Sequence, residues 1–209
     1  MVWGIIYHMN EKITNQRKSR TERKTNETSI TCNLNIDGTG QGIIATGIPF
    51  FDHMLSQLKR HSFIDLDLSA SGDLEIDSHH TVEDVGIVLG MAFKDAFGDR
   101  EGIVRYANTK VPLDEACVEC VLDLCTRPFI YYDLKFNKER INNFELELNL
   151  EFWKAFAFNA PFTLHLRQIS GVNSHHIIEA GFKAFAIAFD HAKQIDPRIK
   201  GSRSTKGAM

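Results

Sequence analysis

The 209-residue sequence has no apolar run approaching the roughly 18 residues that a membrane-spanning helix needs, so no membrane role is expected. An excess of one charge is missing too. Against 24 Lys and Arg stand 27 Asp and Glu, and a net charge of −3 gives nucleic acid no electrostatic foothold. Cysteine is scarce, with four residues: Cys32, Cys117, Cys120 and Cys125. The C-x-x-C of Cys117 and Cys120 lies in E-A-C-V-E-C-V-L-D-L, which reads as a strand. Residues three apart on a strand face opposite ways, so packing explains the pair better than zinc or redox chemistry. Unpaired thiols predict a reducing, cytoplasmic compartment. The opening M-V-W-G-I-I-Y-H-M is too short and interrupted for a secretory signal and lacks a basic lead. Residues 10–29 are polar and show no period, which predicts a mobile arm over residues 1–24.

What is present is ordinary in bulk and unusual in pattern. Hydrophobic residues at 43% and charged residues at 24% describe a globular chain able to bury a core. The chain is written twice. S-H-H-x-x-E occurs at 78–83 and again at 174–179, so that His79, His80 and Glu83 fall on His175, His176 and Glu179 at an offset of 96. Each copy leads into a largely apolar helical pattern, which implies central rather than surface helices. Gly98 ends the first, and Pro197 follows the second.

Upstream, two registers compete. An offset of 112 sets P-F-F-D-H-M on P-F-T-L-H-L and pairs His53 with His165. An offset of 98 sets D-H-M-L-S-Q-L on L-E-F-W-K-A-F and F-I-D-L-D-L on P-F-T-L-H-L, pairing His53 with Glu151 and Asp67 with His165. The second keeps helix on helix and strand on strand, and it is preferred. Further back, I-T-C-N-L-N-I falls on V-E-C-V-L-D-L, with Glu27 over Glu115. The predicted fold is α+β: a tandem duplicated unit of sheet plus helices, in two halves related by a pseudo-twofold axis. The first unit is placed at 25–100 and the second at 101–209.

A capping box does not explain the doubled motif, because its Glu comes five residues after the Ser rather than three. Helical spacing does suit a metal. His79 with Glu83, and His175 with Glu179, are four apart and share a face, so each pair can chelate one ion. His80 and His176 point about 100° away and must serve a second ion. Two metals follow, bridged between subunits if one chain cannot join the helix starts. Imidazole and carboxylate without thiolate suit Mn, Fe or Zn rather than Ca or Mg. His53 is a candidate seventh ligand and Glu151 an eighth. Four protein ligands per ion leave open positions, which point to catalysis. His165, His61, His191 and His8 have duller readings as strand, helix-end and arm residues. Arg105, Arg127 and Lys183 stand apart from other cations in sequence. Together with the tail S-R-S-T-K-G (202–207) they suggest an anionic substrate such as a phosphate ester.

With those residues in view, the chain resembles the imidazoleglycerol-phosphate dehydratase family of histidine biosynthesis. The likeness rests on R-x-T-x-E-T (23–28), F-F-D-H-M-L (50–55), D-S-H-H-T-V-E-D (77–84), P-L-D-E-A (112–116), S-H-H-I-I-E-A-x-F-K-A (174–184) and S-T-K-G (204–207). It implies a ribosomal protein S5 domain 2-like fold and two Mn(II) ions per site, other divalent transition metals being alternatives. It also implies a homo-oligomer of 24 subunits built from trimers, with sites between subunits. By motif the ligands fall on His53, His79, His80, Glu83, His175, His176 and Glu179. Many members carry a further histidine in E-H-F-F where this chain has L-E-F-W, which puts Glu151 at that position. Phosphate contacts fall on Arg105, Arg127, Lys183, Ser204, Thr205 and Lys206. His53, His79 and His175 also face substrate, and acid–base work falls to Glu27, with Glu83 and Glu179 beside it. The implied reaction dehydrates imidazoleglycerol phosphate to imidazole acetol phosphate through a dimetal-bound imidazolate and a diazafulvene-like intermediate. Two other readings of the same residues stay open: a binuclear phosphate-ester hydrolase, and metals that merely cement an oligomer.

Overall fold

A computed structural model describes residues 17–207. The chain folds into two α+β units of the same element order, the second with an added hairpin. The first comprises β1 (Lys18–Lys24), β2 (Thr28–Asn35), β3 (Ile44–Ala45), α1 (Pro49–His61), β4 (Asp65–Gly72) and α2 (His79–Phe97). The second comprises β5 (Tyr106–Leu113), β6 (Ala116–Asp123), β7 (Phe129–Asp133), a small hairpin of β8 (Arg140–Ile141) and β9 (Phe144–Glu145), α3 (Leu148–Asn159), β10 (Thr163–Ser170) and α4 (Ser174–Ala192). The sheets run β1-β2-β4-β3 and β5-β6-β10-β7, the same order twice.

Strand pairing fixes the register of the repeat. Cys32 lies opposite Leu68 and Cys120 opposite Leu166. The first members are 88 residues apart and the second 98, as the offset-98 alignment requires. His53 sits on α1 while His165 sits on β10, so a register that equates them sets a helix on a strand. The ten residues by which the offset grows lie between β7 and α3, where the β8–β9 hairpin is inserted.

The strands alternate as their composition dictates. β2 and β6 bury every second residue, including Cys32 and Cys120, while the less buried Cys117 points the other way. All four cysteines are free. Helix α2 packs on β1 and β2, and α4 on β5 and β6. The halves then meet helix to helix, α1 on α4 and α3 on α2, so the helices form a central layer between two sheets. Phe93 and Phe189 meet in that layer at 4.9 Å. Gly86 and Gly90 let α3 come close to α2: a Cβ at either would lie 2.8–2.9 Å from a carbonyl oxygen of Phe152 or Phe156.

Two buried cations bind the halves crosswise. Arg100, just after α2, donates to the carbonyls of Cys125, Ala160 and Pro161 at the end of α3. Lys193, just after α4, donates to the carbonyls of Ile36 and Ser62 at the end of α1. Each satisfies orphan carbonyls and the negative end of a helix from the other half.

The predicted arm needs correction at its inner end. Residues 18–24 form β1 and pair with β2 throughout, so the first unit begins before residue 25. An edge strand needs little burial. Only Thr21 is buried, and side chains anchor the rest through Ser19 to the carbonyl of Ala92 and Arg23 to Asp84. Residues 1–16, with His8, lie outside the described residues.

Candidate metal centre

The doubled motif sits at two equivalent helix starts. Asp77 Oδ1 accepts the N–H of His79 at 2.7 Å, and Asn173 Oδ1 accepts that of His175 at 3.0 Å. These are N-cap-type bonds that fix where each first turn begins. Ser78 and Ser174 instead turn toward the β7–α3 connection, meeting the carbonyl of Asn143 and the side chain of Asn137.

Where α1 meets α4, three donor atoms converge. His53 Nε2 lies 3.2 Å and His175 Nε2 3.1 Å from the same oxygen, Oε2 of Glu179. All three lie within 4.8 Å of one another, and among the described residues this is the one such group found. Glu179 is buried among the apolar residues of α4, its side chain 11% exposed, while His53 is 45% exposed. The other oxygen, Oε1, accepts from Lys183 Nζ at 2.6 Å, one turn along the helix. Burial works against the charge on Glu179, but bonds from Lys183, His53 and His175 outweigh it and hold its pKa down to about 2. A permanent carboxylate beside two imidazole nitrogens, open on one side, is a donor set that fits a divalent transition metal.

The matching place on α2 and α3 is looser. His79 Nε2 is 3.7 Å from Glu83 Oε2. Glu151, which replaces a histidine there by the repeat, is bonded to Lys154 at 2.9 Å. Glu83 and Glu151 line one shallow cavity of about 420 Å³ with Ile87, Lys154 and Phe158. The residue matching Lys183 is Ile87, so Glu83 has no cation at that position.

The outward histidines join neither group within the chain. His80 Nδ1 is bonded to Asp73 at 3.0 Å and His176 Nδ1 to Glu115 at 2.8 Å. Each bond raises the histidine's pKa, the carboxylate being the main cause in both. Glu115 is held down to about 2 by His176 first, then by the N–H groups of Asn173 and Val172. Sequence reading missed both carboxylates. Glu115 carried a signal, since the repeat sets it over Glu27; Asp73 carried none.

The basic residues divide. Arg105 is not the isolated cation its sequence neighbours suggest. Its guanidinium is bonded to Asp123 at 2.7 and 3.1 Å and to the carbonyl of Arg203 at 2.6 Å. Burial of Arg105, just before β5, made that ion pair necessary. Arg127, 71% exposed, lies 3.9 Å from the same Asp123. Ser204, Thr205 and Lys206 form a turn beside them, in which Ser204 Oγ accepts the N–H of Lys206 at 3.2 Å. Lys183 stays with Glu179. His165 stacks on Tyr131 on the outer sheet face, away from the metal-ligand candidates.

This geometry has relatives. The family model for imidazoleglycerol-phosphate dehydratase matches residues 46–189. The chain belongs to the imidazoleglycerol-phosphate dehydratase family. With it, the chain is a hydro-lyase of histidine biosynthesis. Imidazoleglycerol-phosphate dehydratase from Acetivibrio thermocellus is 53% identical over 193 residues, which cover 92% of this chain and 99% of the relative. The dehydratase of Caldanaerobacter subterraneus is 54% identical, covering 92% and 100%. Among solved structures, the dehydratase of Staphylococcus aureus superposes with a TM-score of 0.76 at 34% identity, covering 85% of this chain and all (100%) of that one. The Pyrococcus furiosus dehydratase superposes at 0.77 and 33% identity, covering 90% and 99%.

Proposed function

We propose that this chain dehydrates imidazoleglycerol phosphate to imidazole acetol phosphate at a site built for two divalent metal ions, with Mn(II) the first choice. The observation that carries this reading is the convergence of His53, His175 and Glu179, with His176 turned outward beside them. By the repeat, Glu151, His79 and Glu83 hold the second ion. His80 and His176 each complete a site on another subunit, which makes the working form a homo-oligomer. The family likeness suggests 24 subunits built from trimers. When bound, the two ions supply Lewis acidity to the imidazole ring of the substrate.

The rest falls to side chains. The proton to be removed lies on a carbon with no carbonyl beside it, so acidity must come through the ring. Glu27, half exposed and close to His80, takes that proton. Before that, the ring gives up its N–H proton, and its electrons expel the hydroxyl from the carbon next to the ring. The hydroxyl leaves as water with that proton and gives a diazafulvene-like intermediate. Loss of the neighbouring carbon's proton to Glu27 then returns a proton to the ring nitrogen and yields the enol. The enol then tautomerises to the ketone. Glu83 and Glu179 act as ligands rather than bases, since Lys183 and its neighbours keep Glu179 ionised. Arg127, Ser204, Thr205 and Lys206 receive the phosphate, with Arg105 holding the tail in place and Lys183 nearer the metal. Among the described residues no helix is long and apolar enough to cross a membrane, and the free cysteines support a cytoplasmic setting.

The test is turnover of imidazoleglycerol phosphate by protein of measured metal content. Imidazole acetol phosphate should form with no inorganic phosphate released, and mass in EDTA should fall below that in Mn(II). Release of phosphate, or full turnover by metal-free protein, would overturn the proposal.

A further inference from the structure

The two outward histidines are held by carboxylates from different places in the repeat. Glu115, in the β5–β6 turn, accepts from His176 Nδ1 at 2.8 Å, while its second oxygen takes the N–H groups of Val172 and Asn173 at 3.1 and 2.8 Å. Duplication puts Glu27, in the β1–β2 turn, in the same position toward His80. Yet Glu27 stands 3.9 Å from His80 Nδ1 and is 54% exposed. Among the described residues its carboxylate has no hydrogen bond.

Asp73 has taken over. Its side chain is 15% exposed and meets the ring at 3.0 Å. It opens the β4–α2 connector, residues 73–78, whose counterpart in the second half is the shorter 171–173. No such takeover fits there. A Cβ on Gly171 would lie 2.7 Å from the Cβ of Ala116, and its φ is +123°. A histidine that donates Nδ1–H to a carboxylate presents the lone pair of Nε2 in one fixed direction.

Resting on the two-metal reading, we propose that Asp73 and Glu115 are positioning residues that fix the tautomer and aim of His80 and His176. By relieving Glu27 of this task, Asp73 also leaves that carboxylate free for proton transfer. The duplicated scaffold thus keeps one bonded carboxylate per outward histidine and gains one unbonded carboxylate in the first half.

The test is Mn(II) affinity of the full-length protein by chelator competition, with unfolding temperature and kcat alongside. Asp73→Leu and Glu115→Leu should each weaken Mn(II) binding about 10–100-fold, the usual effect of losing a ligand's hydrogen-bond partner. Asp73→Asn and Glu115→Gln should restore most of it, because an amide oxygen still accepts Nδ1–H. Glu27→Gln alone should leave affinity unchanged, whereas Glu27→Ala should weaken it further in an Asp73→Leu background, where Glu27 becomes the fallback partner. At saturating Mn(II), Asp73→Leu should lower kcat more than Glu115→Leu, with KM similar in both. If Asp73→Leu fails to fold, Asp73→Ala, alone and with Glu27→Ala, carries the same comparison. Wild-type affinity in Asp73→Leu, or a loss in Glu27→Gln alone equal to that in Asp73→Leu, overturns the inference. His80→Ala separates the levels. Unchanged affinity there defeats the two-metal reading itself, whereas a loss there without one in Asp73→Leu defeats only the positioning role.

Discussion

The meeting of α1 with α4 and that of α3 with α2 are the same construction made twice, and they are not equally finished. At the first, Glu179 is buried, paired with Lys183, and shares one oxygen with two imidazoles. At the second, His79 and Glu83 stand 3.7 Å apart and Glu151 turns to Lys154. Single replacements account for the difference: Lys183 against Ile87, and His53 against Glu151. A carboxylate buried beside a cation is drawn into place by electrostatics in a low dielectric, while the half-buried Glu83 and Glu151 share no cation and repel. Duplication therefore preserved the backbone geometry and let the two donor sets diverge in charge. The first group is drawn together by the chain alone; the second is not.

The largest effects should come from the ligands. His175→Ala and His79→Ala should each lower kcat/KM by more than the roughly 100-fold that outer-shell losses produce. Full turnover in either variant, by product assay, would reduce the comparison to one working site. Next comes the replaced position. Glu151→His should keep most activity and tighten Mn(II) binding by making the second donor set match the first, and His53→Glu should do the reverse. Equal metal affinity in both variants and the wild type would show that Glu151 is not a ligand.

Packing gives a smaller contrast. Gly86→Ala should destabilise by about 1–3 kcal/mol, the range for overpacking a close helix contact. Gly181→Ala, whose added Cβ meets Leu134 at 3.4 Å and Val118 at 4.0 Å, should be neutral or stabilising by up to about 1 kcal/mol. Thermal unfolding in EDTA measures both, and equal shifts would contradict the close approach of α3 to α2. The smallest expected effect is on pH dependence. In metal-free protein the pKa of Glu179 is depressed from 4.5 to about 2, so its contribution is complete above pH 4.5 and lost as pH falls toward 2. Glu179→Gln should flatten that part of the stability curve. An unchanged acid slope would show that Lys183 and the histidines do not stabilise the charge.

Much of the fold was legible because a repeat makes two noisy patterns read each other. Offsets of 88, 98 and 96 located four element pairs, β2 with β6, α1 with α3, β4 with β10 and α2 with α4, and the period of each stretch told helix from strand. The sequence misled at β1, whose polar residues look like an arm because an edge strand buries little. It was silent on Arg100 and Lys193, since a buried cation that satisfies helix-end carbonyls resembles any surface cation until the chain is folded. It also spread Arg105, Arg127 and Asp123 over 23 positions (105–127), which the sheet then brings side by side.

By itself, then, the sequence determined the doubled α+β frame, the two histidines and one glutamate that each S-H-H-x-x-E copy sets at a helix start, and membership of a dehydratase family. Those follow from local periodicity, which the chain carries residue by residue. Only the tertiary structure decided that His53 reaches Glu179 across the two halves, that Asp73 rather than Glu27 holds His80, and that Arg105 holds the tail. The first and last of these contacts join residues far apart in the chain, and the second depends on the shape of a short connector; which polar group meets which depends on the packing of helix against helix and on where a side chain has room.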